Sequence, residues 1–383
     1  MNESKKVIFF TNIPAPYRVA LFNDLEKIRL IHNRNFDFEV LFMRITESNR
    51  QWEVNLSGFK FKFQIGKGFY LPINGLFLHF NPGLIKHSIK GNNEIILGAS
   101  WNNLNVLFII LLKRLRIIKN KLSIWSEANY LTVNSQKKNI YRDKIRNWVF
   151  KSIDGSFIVP GRMSIISFKK WSINPKKIIF LPNLISQNLF TKTRDKDFLS
   201  NKIPVFIIVA RLNENHKGIL NFIQSIGNNN IEKIKLRIIG QGQSKDDYKK
   251  YIAENKFGNH ITFVGSLNQD EVSNEYDKAD VFILPSYSDP SPLTVIEATN
   301  KGLPLLISKR CGNHFEAVKQ GENGYIFNPF DSRDIKYKFE LLLSQRKDWK
   351  TFSNCSLKIA ENRFNNKKVL VNLIDCICKY DSD

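Results

Sequence analysis

Short apolar segments alternate with longer helix-forming segments along almost the whole chain, and this alternation constrains the fold more than any other feature. The short segments are apolar throughout, as is typical of strands buried on both faces of a parallel sheet. Between them, apolar residues recur at the spacing of an amphipathic helix, as at Leu21, Leu25 and Ile28. We therefore predict an α/β fold in which helices cover both faces of parallel sheets.

Two series of these units follow one another. In the first series, strands are predicted at 7–11, 36–43, 94–98, 122–126, 155–159 and 178–181, and helices at 17–31, 104–118, 140–152 and 163–171. In the second series, strands are predicted at 205–209, 235–239, 261–264, 281–285 and 305–308, and helices at 218–226, 244–255, 270–278 and 295–301. The 43% of hydrophobic residues is sufficient for a core in each half.

The segment 186–202 interrupts the alternation with polar and mixed-charge residues before Pro204. The predicted organisation is a Rossmann-like domain over 1–190, a linker over 191–203 and a second Rossmann-like domain over 204–362. A last helix, over 363–383, is expected to pack back on the first domain. Two doubly wound halves of similar size imply a cleft between them, lined by the carboxyl ends of the strands.

The net charge of +23 is compatible with nucleic acid, an anionic membrane or a phosphorylated substrate as partner. A codon bias toward Lys, Asn and Ile would produce the same charge without any partner. The cations form no clustered stripe, and we expect no nucleic-acid partner. The four cysteines lack the spacing of a zinc site. The first apolar run is too short for a secretion signal, and the run at 106–112 is too short to span a bilayer, so we expect a cytoplasmic protein.

Two cations mark the first candidate binding segment of the second half. Arg211 follows the predicted strand at 205–209, and Lys217 with Gly218 opens the next helix. A cation at the end of a strand and another at the start of a helix flank the crevice in which α/β sheets bind ligands. Together they could neutralise a diphosphate. A solvated arginine and a lysine that merely begins a helix fit the same pattern.

Glycines end two further strands of the second half. Gly240 and Gly242 follow the strand at 235–239, but Lys245 stands where the NAD-binding fingerprint requires a third glycine. Gly265 directly follows the predicted strand at 261–264, and Leu267 lies two residues further on. These turns would let a nucleotide lie close to the backbone, and the groups near Gly265 could contact the edge of a base. Plain turns are equally compatible with these residues.

The segment 289–297 carries two carboxylates eight positions apart. Asp289 follows a predicted strand, and Glu297 lies about one turn into the next helix. Leu293 and Thr294 lie near the N-terminus of that helix, and Ser291 and Pro292 precede them as further candidate donor-binding residues. Free N–H groups at a helix start favour an anion, so a sugar diphosphate could place phosphate there. The sugar of the donor would then face Asp289, and the hydroxyl groups of its ribose would face Glu297. Two unrelated surface acids would leave the order of these features, with a Gly-Leu-Pro turn at 302–304, unexplained.

The second half resembles the retaining glycosyltransferases of family 4. Their mark is an acidic residue, seven intervening residues, then Glu and Ala, followed by a Gly-Leu-Pro turn, and residues 289–298 and 302–304 are similar to it. Arg211 and Lys217 look like the family's diphosphate-binding pair. Residues 312–316 and 321–327 resemble the segment that usually follows. Residues 11–18 resemble the opening of members that build bacterial surface polysaccharides.

This resemblance implies a GT-B fold and transfer of a sugar from a UDP- or GDP-linked donor to a saccharide or lipid-linked saccharide, in O-antigen or capsule synthesis. The leaving diphosphate would accept the proton of the acceptor on the same face. Arg211 and Lys217 would stabilise it, Asp289 would orient the sugar, and Glu297 would hold the ribose. The family is typically metal-independent, and we expect neither metal nor other cofactor.

Three departures from the family pattern concern the donor site. Asp289 stands where Glu is usual, Pro292 stands where many members have Gly, and Arg211 and Lys217 are one residue further apart than is common. They bear on the identity of the donor sugar more than on the reaction class. A nucleotide-sugar 2-epimerase is the alternative, since such enzymes share the architecture but need no acceptor and are not expected to carry the segment 289–297.

The first half is expected to bind the acceptor at the ends of its strands. The candidates are Asn12, Pro14, Tyr17, Arg18, Trp101 and Glu127. Arg18 could meet the phosphate of a lipid-linked acceptor or be solvated. Trp101 could stack on a sugar or belong to the core, and Glu127 could act as a base or as a ligand of the acceptor hydroxyl. The helix at 104–118 is apolar and then basic, which is compatible with peripheral binding at the inner face of an anionic membrane or with a buried helix that has a basic end.

Overall fold

A computed structural model describes residues 5–32, 36–47, 54–73, 76–133, 140–175, 177–191, 197–200 and 202–379. Part of the predicted linker, residues 192–196 and 201, lies outside the described residues. Residues 1–4 of the predicted first domain and residues 380–383 of the predicted last helix also lie outside the described residues.

The first half is built on a parallel sheet. Its strands, together with those of a separate hairpin, are β1 (Lys5–Thr11), β2 (Phe36–Phe42), β3 (Phe63–Ile65), β4 (Phe69–Ile73), β5 (Leu76–Phe80), β6 (Glu94–Leu97), β7 (Leu122–Trp125), β8 (Phe157–Val159) and β9 (Ile178–Phe180). The seven-stranded sheet has the order β3-β2-β1-β6-β7-β8-β9, and β4 and β5 form the antiparallel hairpin. The hairpin and β3 were not predicted from the sequence.

Helices cover both faces of this sheet. They are α1 (Pro16–His32), α2 (Pro82–Ser88), α3 (Leu104–Arg114), α4 (Tyr130–Val133), α5 (Ile140–Lys151) and α6 (Arg162–Lys170). The short α7 (Gln187–Phe190) follows β9 and buries Phe190 in the core of the second half. Residues of α2, α3, α5 and α6 bury one face, and residues of α1 bury the other. The helix predicted at 104–118 is shorter than expected. Arg116 adopts the left-handed conformation, with φ 58°, and the Ile117 N–H donates to the Leu112 carbonyl, so the helix ends in a Schellman motif.

The second half contains six parallel strands. They are β10 (Val205–Val209), β11 (Lys235–Ile239), β12 (Ile261–Gly265), β13 (Val281–Leu284), β14 (Leu305–Ser308) and β15 (Gly324–Phe327). Their order is β12-β11-β10-β13-β14-β15, so the direction in which successive strands are added to the sheet reverses between β10 and β13. In the first sheet the same reversal lies between β1 and β6. Crevices at such reversal points are where open α/β sheets bind ligands.

The remaining helices surround the second sheet, except for the last. They are α8 (Glu214–Lys217), α9 (Ile219–Ile226), α10 (Asn228–Ile231), α11 (Lys245–Glu254), α12 (Gln269–Lys278), α13 (Leu293–Asn300), α14 (His314–Ala317), α15 (Ser332–Ser344), α16 (Trp349–Arg363) and α17 (Asn366–Lys379). Helix α17 buries Leu370 and Leu373 in the core of the first domain, against Phe22 of α1. No helix among the described residues is long and apolar enough to cross a membrane. The predicted α/β class with two Rossmann-like domains is confirmed.

Candidate active site

An ion pair between Lys217 and Asp289 lies at the carboxyl ends of β10 and β13. The Lys217 ammonium contacts the Asp289 carboxylate, and both side chains are largely buried. The backbone positions this pair, because the His216 carbonyl accepts hydrogen bonds from the N–H groups of Tyr287 (2.9 Å) and Ser288 (3.2 Å). The loop after β10 is thus joined to the loop after β13, and two residues 72 positions apart in the chain meet.

Gly218 makes this close approach of the two loops feasible. Its φ of 58° lies in the left-handed region, which favours glycine. A Cβ atom there would lie 2.9 Å from the Pro285 carbonyl oxygen and 3.0 Å from the Tyr287 ring. A larger residue would therefore separate the loop that bears Lys217 from the loop that bears Asp289.

Arg211 and Lys217 both follow β10, but the environment of the Arg211 side chain is different. Its side chain is exposed, and its guanidinium has no hydrogen bond or ion pair with any residue that the structure describes. The following residue is held firmly, because the Leu212 N–H donates to the Gln241 carbonyl at 2.9 Å. Arg211 is therefore a free cation on an ordered loop.

The glycines after β11 serve contacts within the protein. A Cβ at Gly240 would overlap the Ala210 carbonyl, and one at Gly242 would overlap the Leu212 carbonyl. The close approach predicted at these positions is therefore between the loops after β10 and β11. Gly265 differs, because its φ is 96° and no atom lies within 4 Å of the position of a Cβ. Of the three, only Gly265 leaves open space for a ligand.

The start of α13 is held by two amide side chains. The helix begins at Leu293, two residues before the predicted start, and Pro292 precedes it without a side-chain cap. The Ser291 carbonyl accepts a hydrogen bond from Asn183 Nδ2 at 3.0 Å, and the Pro292 carbonyl accepts one from Asn313 Nδ2 at 2.9 Å. The carbonyls of this loop are thus bound to protein, while the uncapped N–H groups of the helix remain for an anion.

Glu297 lies in α13 and contacts Tyr276. The Tyr276 hydroxyl donates to Glu297 Oε2 at 3.0 Å, and Tyr276 is fully buried. Burial raises the pKa of Glu297 to about 7, although the hydrogen bond from Tyr276 opposes the shift. One carboxylate oxygen is therefore occupied by the protein, and the other has no hydrogen-bond partner among the described residues. A ribose hydroxyl would have to use that second oxygen.

Across the cleft, Arg18 and Glu127 form the polar part of the first domain's site. Arg18 is 8% exposed, its guanidinium lies 3.5 Å from the centre of the Trp125 ring, and its Nη2 is 3.5 Å from Glu127 Oε1. The pKa of Glu127 is raised, chiefly because the carboxyl group is buried. Arg18 and Asn183 oppose this rise, and the negative charge of Asp289 adds to it. The charge of Asp289 thus acts on Glu127, the acidic candidate of the first domain.

The other acceptor candidates divide into buried and accessible residues. Trp101 is buried in the core with Ala99 and Val106, so the structure favours core packing over stacking on a sugar. Pro14 is also buried. Asn12 is half-buried, and its Oδ1 has no hydrogen-bond partner among the described residues. Tyr17, Asn12 and Arg18 thus remain the candidates of the first loop. Leu267, on the donor side, packs partly on the core of the second domain.

Three interdomain contacts were not predicted from the sequence. Asn183 links Glu127 of the first domain to the Ser291 carbonyl of the second. Arg310 donates to the Tyr287 carbonyl at 2.9 Å and to the Leu131 carbonyl of the first domain. Glu316 accepts a hydrogen bond from the N–H of Arg162 at 2.7 Å, at the start of α6. The signal for Asn183 and Arg310 was present, since each is a polar residue shortly after a strand.

Comparison with known proteins relates the second half of the chain to glycosyl transferases. Residues 190–358 match the family model described as glycosyl transferases group 1. The chain is 28% identical to sulfoquinovosyl transferase SQD2 of Arabidopsis thaliana, over 51% of this chain and 37% of that protein. It is 30% identical to UDP-Gal:alpha-D-GlcNAc-diphosphoundecaprenol alpha-1,3-galactosyltransferase of Escherichia coli, over 44% of this chain and 46% of that protein. The chain thus spans less than half the length of these relatives.

The fold extends the likeness over both domains. The structure of Anabaena Alr3699/HepE in complex with UDP superimposes with a TM-score of 0.72, at 14% identity, over 97% of this chain and 99% of that chain. At this identity the likeness concerns the fold, and it confirms the predicted GT-B architecture. The segment matched by the family model contains Arg211, Lys217, Asp289 and Glu297. The residues that match the model of the group 1 glycosyl transferases thus form most of the second domain of this GT-B fold.

Proposed function

We propose that the protein is a retaining glycosyltransferase that uses a UDP- or GDP-linked sugar and a saccharide or lipid-linked saccharide acceptor. One observation carries the proposal. Lys217 and Asp289 meet at the reversal point of the second sheet, next to an uncapped helix start and opposite Glu127. The arrangement supplies a cation and N–H donors for a diphosphate, and a carboxylate for sugar hydroxyls. The family match of the second half supports the reaction class.

In this proposal the diphosphate of the donor lies against Lys217, Arg211 and the start of α13. Negative charge grows on the leaving diphosphate as the bond between the sugar and its oxygen breaks. Fixed cations and helix N–H groups stabilise that charge without reorganising during the reaction. Arg211 is free to contact the diphosphate, whereas Lys217 would exchange part of its contact with Asp289 for the ligand. We propose that these protein cations take the place of a metal ion.

The acceptor hydroxyl attacks the sugar carbon from the face that the diphosphate leaves. Its oxygen forms the new glycosidic bond, and its proton passes to the departing diphosphate oxygen, so the configuration is retained. Asp289 orients the sugar during this step, and Glu297 binds the ribose through its free oxygen. No covalent intermediate with the protein is required.

Arg18 and Glu127 are proposed to bind the acceptor. A carboxylate can accept a hydrogen bond from an acceptor hydroxyl, and Arg18 can contact an acceptor phosphate. The Escherichia coli relative is named for an acceptor linked to diphosphoundecaprenol, which supports a lipid-linked acceptor here. We propose that the reaction belongs to surface polysaccharide synthesis, such as that of O-antigen or capsule. Its place would be the cytoplasmic side of the membrane.

A thermal-shift screen over UDP-, GDP-, ADP- and CMP-sugars tests the donor site. A ligand at about 100 times its Kd stabilises the folded state by about 2.7 kcal/mol, so the true donor should raise Tm by several degrees. Glu297→Ala should abolish this shift, whereas Glu254→Ala, at an exposed position of α11, should retain it. A shift that persists in Glu297→Ala would contradict the ribose assignment.

The same donors separate transfer from epimerisation. Incubated with donor alone, a transferase should leave the nucleotide sugar unchanged apart from slow hydrolysis. A new nucleotide sugar in the product mixture, resolved by chromatography, would instead indicate the epimerase. Failure of every nucleotide sugar to bind, with salt-sensitive binding of DNA or RNA, would overturn the proposal altogether.

A further inference from the structure

An apolar groove lies on the outer face of the first domain, away from the ion pair of the cleft. It has a volume of about 740 Å³ and is formed mainly by α3 and α5. Its principal lining residues are Leu104, Leu107, Phe108, Leu111, Ile145 and Trp148. The groove is not part of the donor or acceptor site described above.

Helix α3 is apolar on more sides than its packing requires. Its inner stripe, which contains Val106, Ile109 and Ile110, is completely buried in the core. Its outer stripe repeats at helical spacing, and Phe108 and Leu111 there remain 38% and 42% exposed. A helix that is hydrophobic all round is normally covered on every side. The outer stripe therefore indicates a contact beyond this chain's own core.

The apolar surface continues past the groove at the ends of both helices. Leu115 and Ile117 follow α3, and Ile140 and Tyr141 begin α5; all four are more than half exposed. Such side chains are unfavourable in water, and they add exposed apolar surface at the end of α3 and at the start of α5. We call the groove and these four residues the α3–α5 face.

Positive charge surrounds the α3–α5 face. The sequence from 104 to 121 contains five cations and no acidic residue. The exposed cations next to the face are Arg114, Arg116, Lys119, Lys144 and Lys151. The acidic residues nearby, Asp143 and Asp154, are each paired with a cation of the same region, Arg146 and Lys113. The face is therefore an apolar surface with a positively charged margin.

We infer that the α3–α5 face docks on an anionic lipid bilayer, with acyl chains in the groove and lipid headgroups against the surrounding cations. Apolar side chains together with a margin of Lys and Arg are the combination that binds at a membrane interface. A nucleic acid would use the cations but not the groove, and a neutral apolar partner would use the groove but not the cations.

The position of α3 places the α3–α5 face near the acceptor residues. The benefit of docking for catalysis rests on the proposed transferase reaction. Helix α3 begins just after β6, at the sheet edge that also carries Asn12 and Glu127 after the neighbouring strands β1 and β7. A protein docked in this way would hold its acceptor site beside the membrane surface. A lipid-linked saccharide could then reach Glu127 while its chain stays in the bilayer.

Co-sedimentation with vesicles tests the docking. The full chain should bind phosphatidylglycerol vesicles, bind phosphatidylcholine vesicles much more weakly, and lose binding at high salt. Phe108→Asp should lower the partition coefficient at least tenfold, and Arg114→Ala and Arg116→Ala about fivefold each. The matched controls are Tyr337→Asp and Lys250→Ala, at exposed positions of the second domain, and both should bind as the unchanged protein does. Equal binding by Phe108→Asp and the controls would overturn the inference.

Trp148 provides a second, independent measurement. The other described tryptophans, at 101, 125, 171 and 349, are buried, and Trp52 lies outside the described residues. In a Trp52→Phe background, brominated acyl chains should therefore quench mainly Trp148. Quenching should disappear in Trp148→Phe. Vesicle binding without quenching would mean that only headgroups are contacted and would overturn the role of the groove. Self-association that Phe108→Asp abolishes, without vesicle binding, would assign the face to a second copy of the chain and also overturn docking.

The donor thermal shift separates the two proposals. If Phe108→Asp keeps the shift and the unchanged protein fails to bind vesicles, docking fails and the transferase proposal stands. If no nucleotide sugar shifts Tm but vesicle binding follows the expected pattern, the transferase proposal fails and docking stands.

Discussion

The two sides of the cleft are held in place by different kinds of contact. On the second-domain side, Asp289 is fixed by its own backbone, since its carbonyl accepts from the Gly312 N–H at 2.8 Å and its N–H donates to the Arg310 carbonyl at 3.3 Å. On the first-domain side, Arg18 is fixed by its side chain, through the Trp125 ring and a long 3.5 Å contact with Glu127. Backbone contacts depend little on residue identity, whereas side-chain contacts change with every substitution.

This difference suggests a division of labour between the domains. A site built on backbone hydrogen bonds keeps its geometry, as a constant diphosphate requires. A site built on side chains can differ from one chain to the next without changing the fold, as varied acceptors require. Substitutions in the second domain should therefore change donor binding, and substitutions in the first domain should change acceptor binding.

The largest effect is expected for Lys217→Ala. Removing one group that stabilises developing charge typically lowers kcat by about 100- to 1000-fold. The donor thermal shift should also shrink, since Lys217 is proposed to contact the diphosphate in the ground state. Lys250→Ala is the control for loss of a lysine. Steady-state kinetics with a loss of less than threefold would remove Lys217 from the mechanism.

Arg18→Ala should act on the acceptor alone. A charge-assisted hydrogen bond contributes about 1.5–3 kcal/mol, so KM for a phosphorylated acceptor should rise about 10- to 100-fold. The donor thermal shift should stay unchanged, which is the point that distinguishes the two sides. Arg18→Lys should recover only part of the loss, because lysine keeps the charge but not the planar guanidinium over Trp125. A smaller donor shift in Arg18→Ala would break the proposed separation.

Asn183→Ala should affect both sides, because this residue joins them. Loss of a buried hydrogen bond to the Ser291 carbonyl should lower the free energy of unfolding by about 1–2 kcal/mol and kcat by about tenfold. Asn183 also lowers the pKa of Glu127, so its removal should move the acidic limb of the pH–rate profile to higher pH. A purely structural role would lower stability and leave that limb in place.

Glu297→Gln should have the smallest effect, and it should depend on pH. The pKa of Glu297 is about 7 in the folded protein against an ordinary 4.5, so the folded state binds more protons than the unfolded state between these values. Stability contributed by this group therefore falls as pH rises from about 4.5 to 7. Glu297→Gln should remove this dependence and gain about 1–2 kcal/mol relative to the unchanged protein at pH 8.

Denaturant unfolding at pH 5 and pH 8 would measure this difference. Glu254→Gln, at an exposed position, is the control and should show the same dependence on pH as the unchanged protein. A Glu297→Gln variant whose advantage does not grow between the two pH values would show that the carboxyl group ionises normally.

The fold was predictable because its signal is local. Continuous apolar runs such as β10 and β13 must be covered on both faces, and helix-spaced residues between them supply the cover. The predicted strand bounds at β10, β11 and β14 agree with the structure. The hairpin of β4 and β5 was missed although its signal is local, because Asn74 and Gly75 between two apolar runs favour a two-residue hairpin turn. The end of α3 was missed because apolar residues continue beyond the Schellman motif.

The candidate site was predictable where one segment carries it and unpredictable where several do. Asp289 and Glu297 lie in a single strand–loop–helix unit, so their order in the chain already indicates their setting. Asn183 and Arg310 contact residues more than 100 positions away. Their places shortly after a strand mark them as candidates, but the sequence does not indicate which residues they contact. The reason for a glycine at 240 likewise lies in a distant residue, because a Cβ there would overlap the carbonyl of Ala210, which follows the adjacent strand β10.

The sequence alone therefore determined the α/β class, the division into two Rossmann-like halves and the segment that carries the donor-site carboxylates, because periodicity and turn chemistry act over a few residues. The GT-B fold was implied by the family resemblance of residues 289–304 and is confirmed by the structural likeness. Only the tertiary structure decided that Lys217 pairs with Asp289, that Tyr276 occupies one oxygen of Glu297, and that Trp101 belongs to the core. Those facts depend on which loops meet across the sheets. Such meetings are set by packing of the whole chain, which no short stretch of sequence encodes.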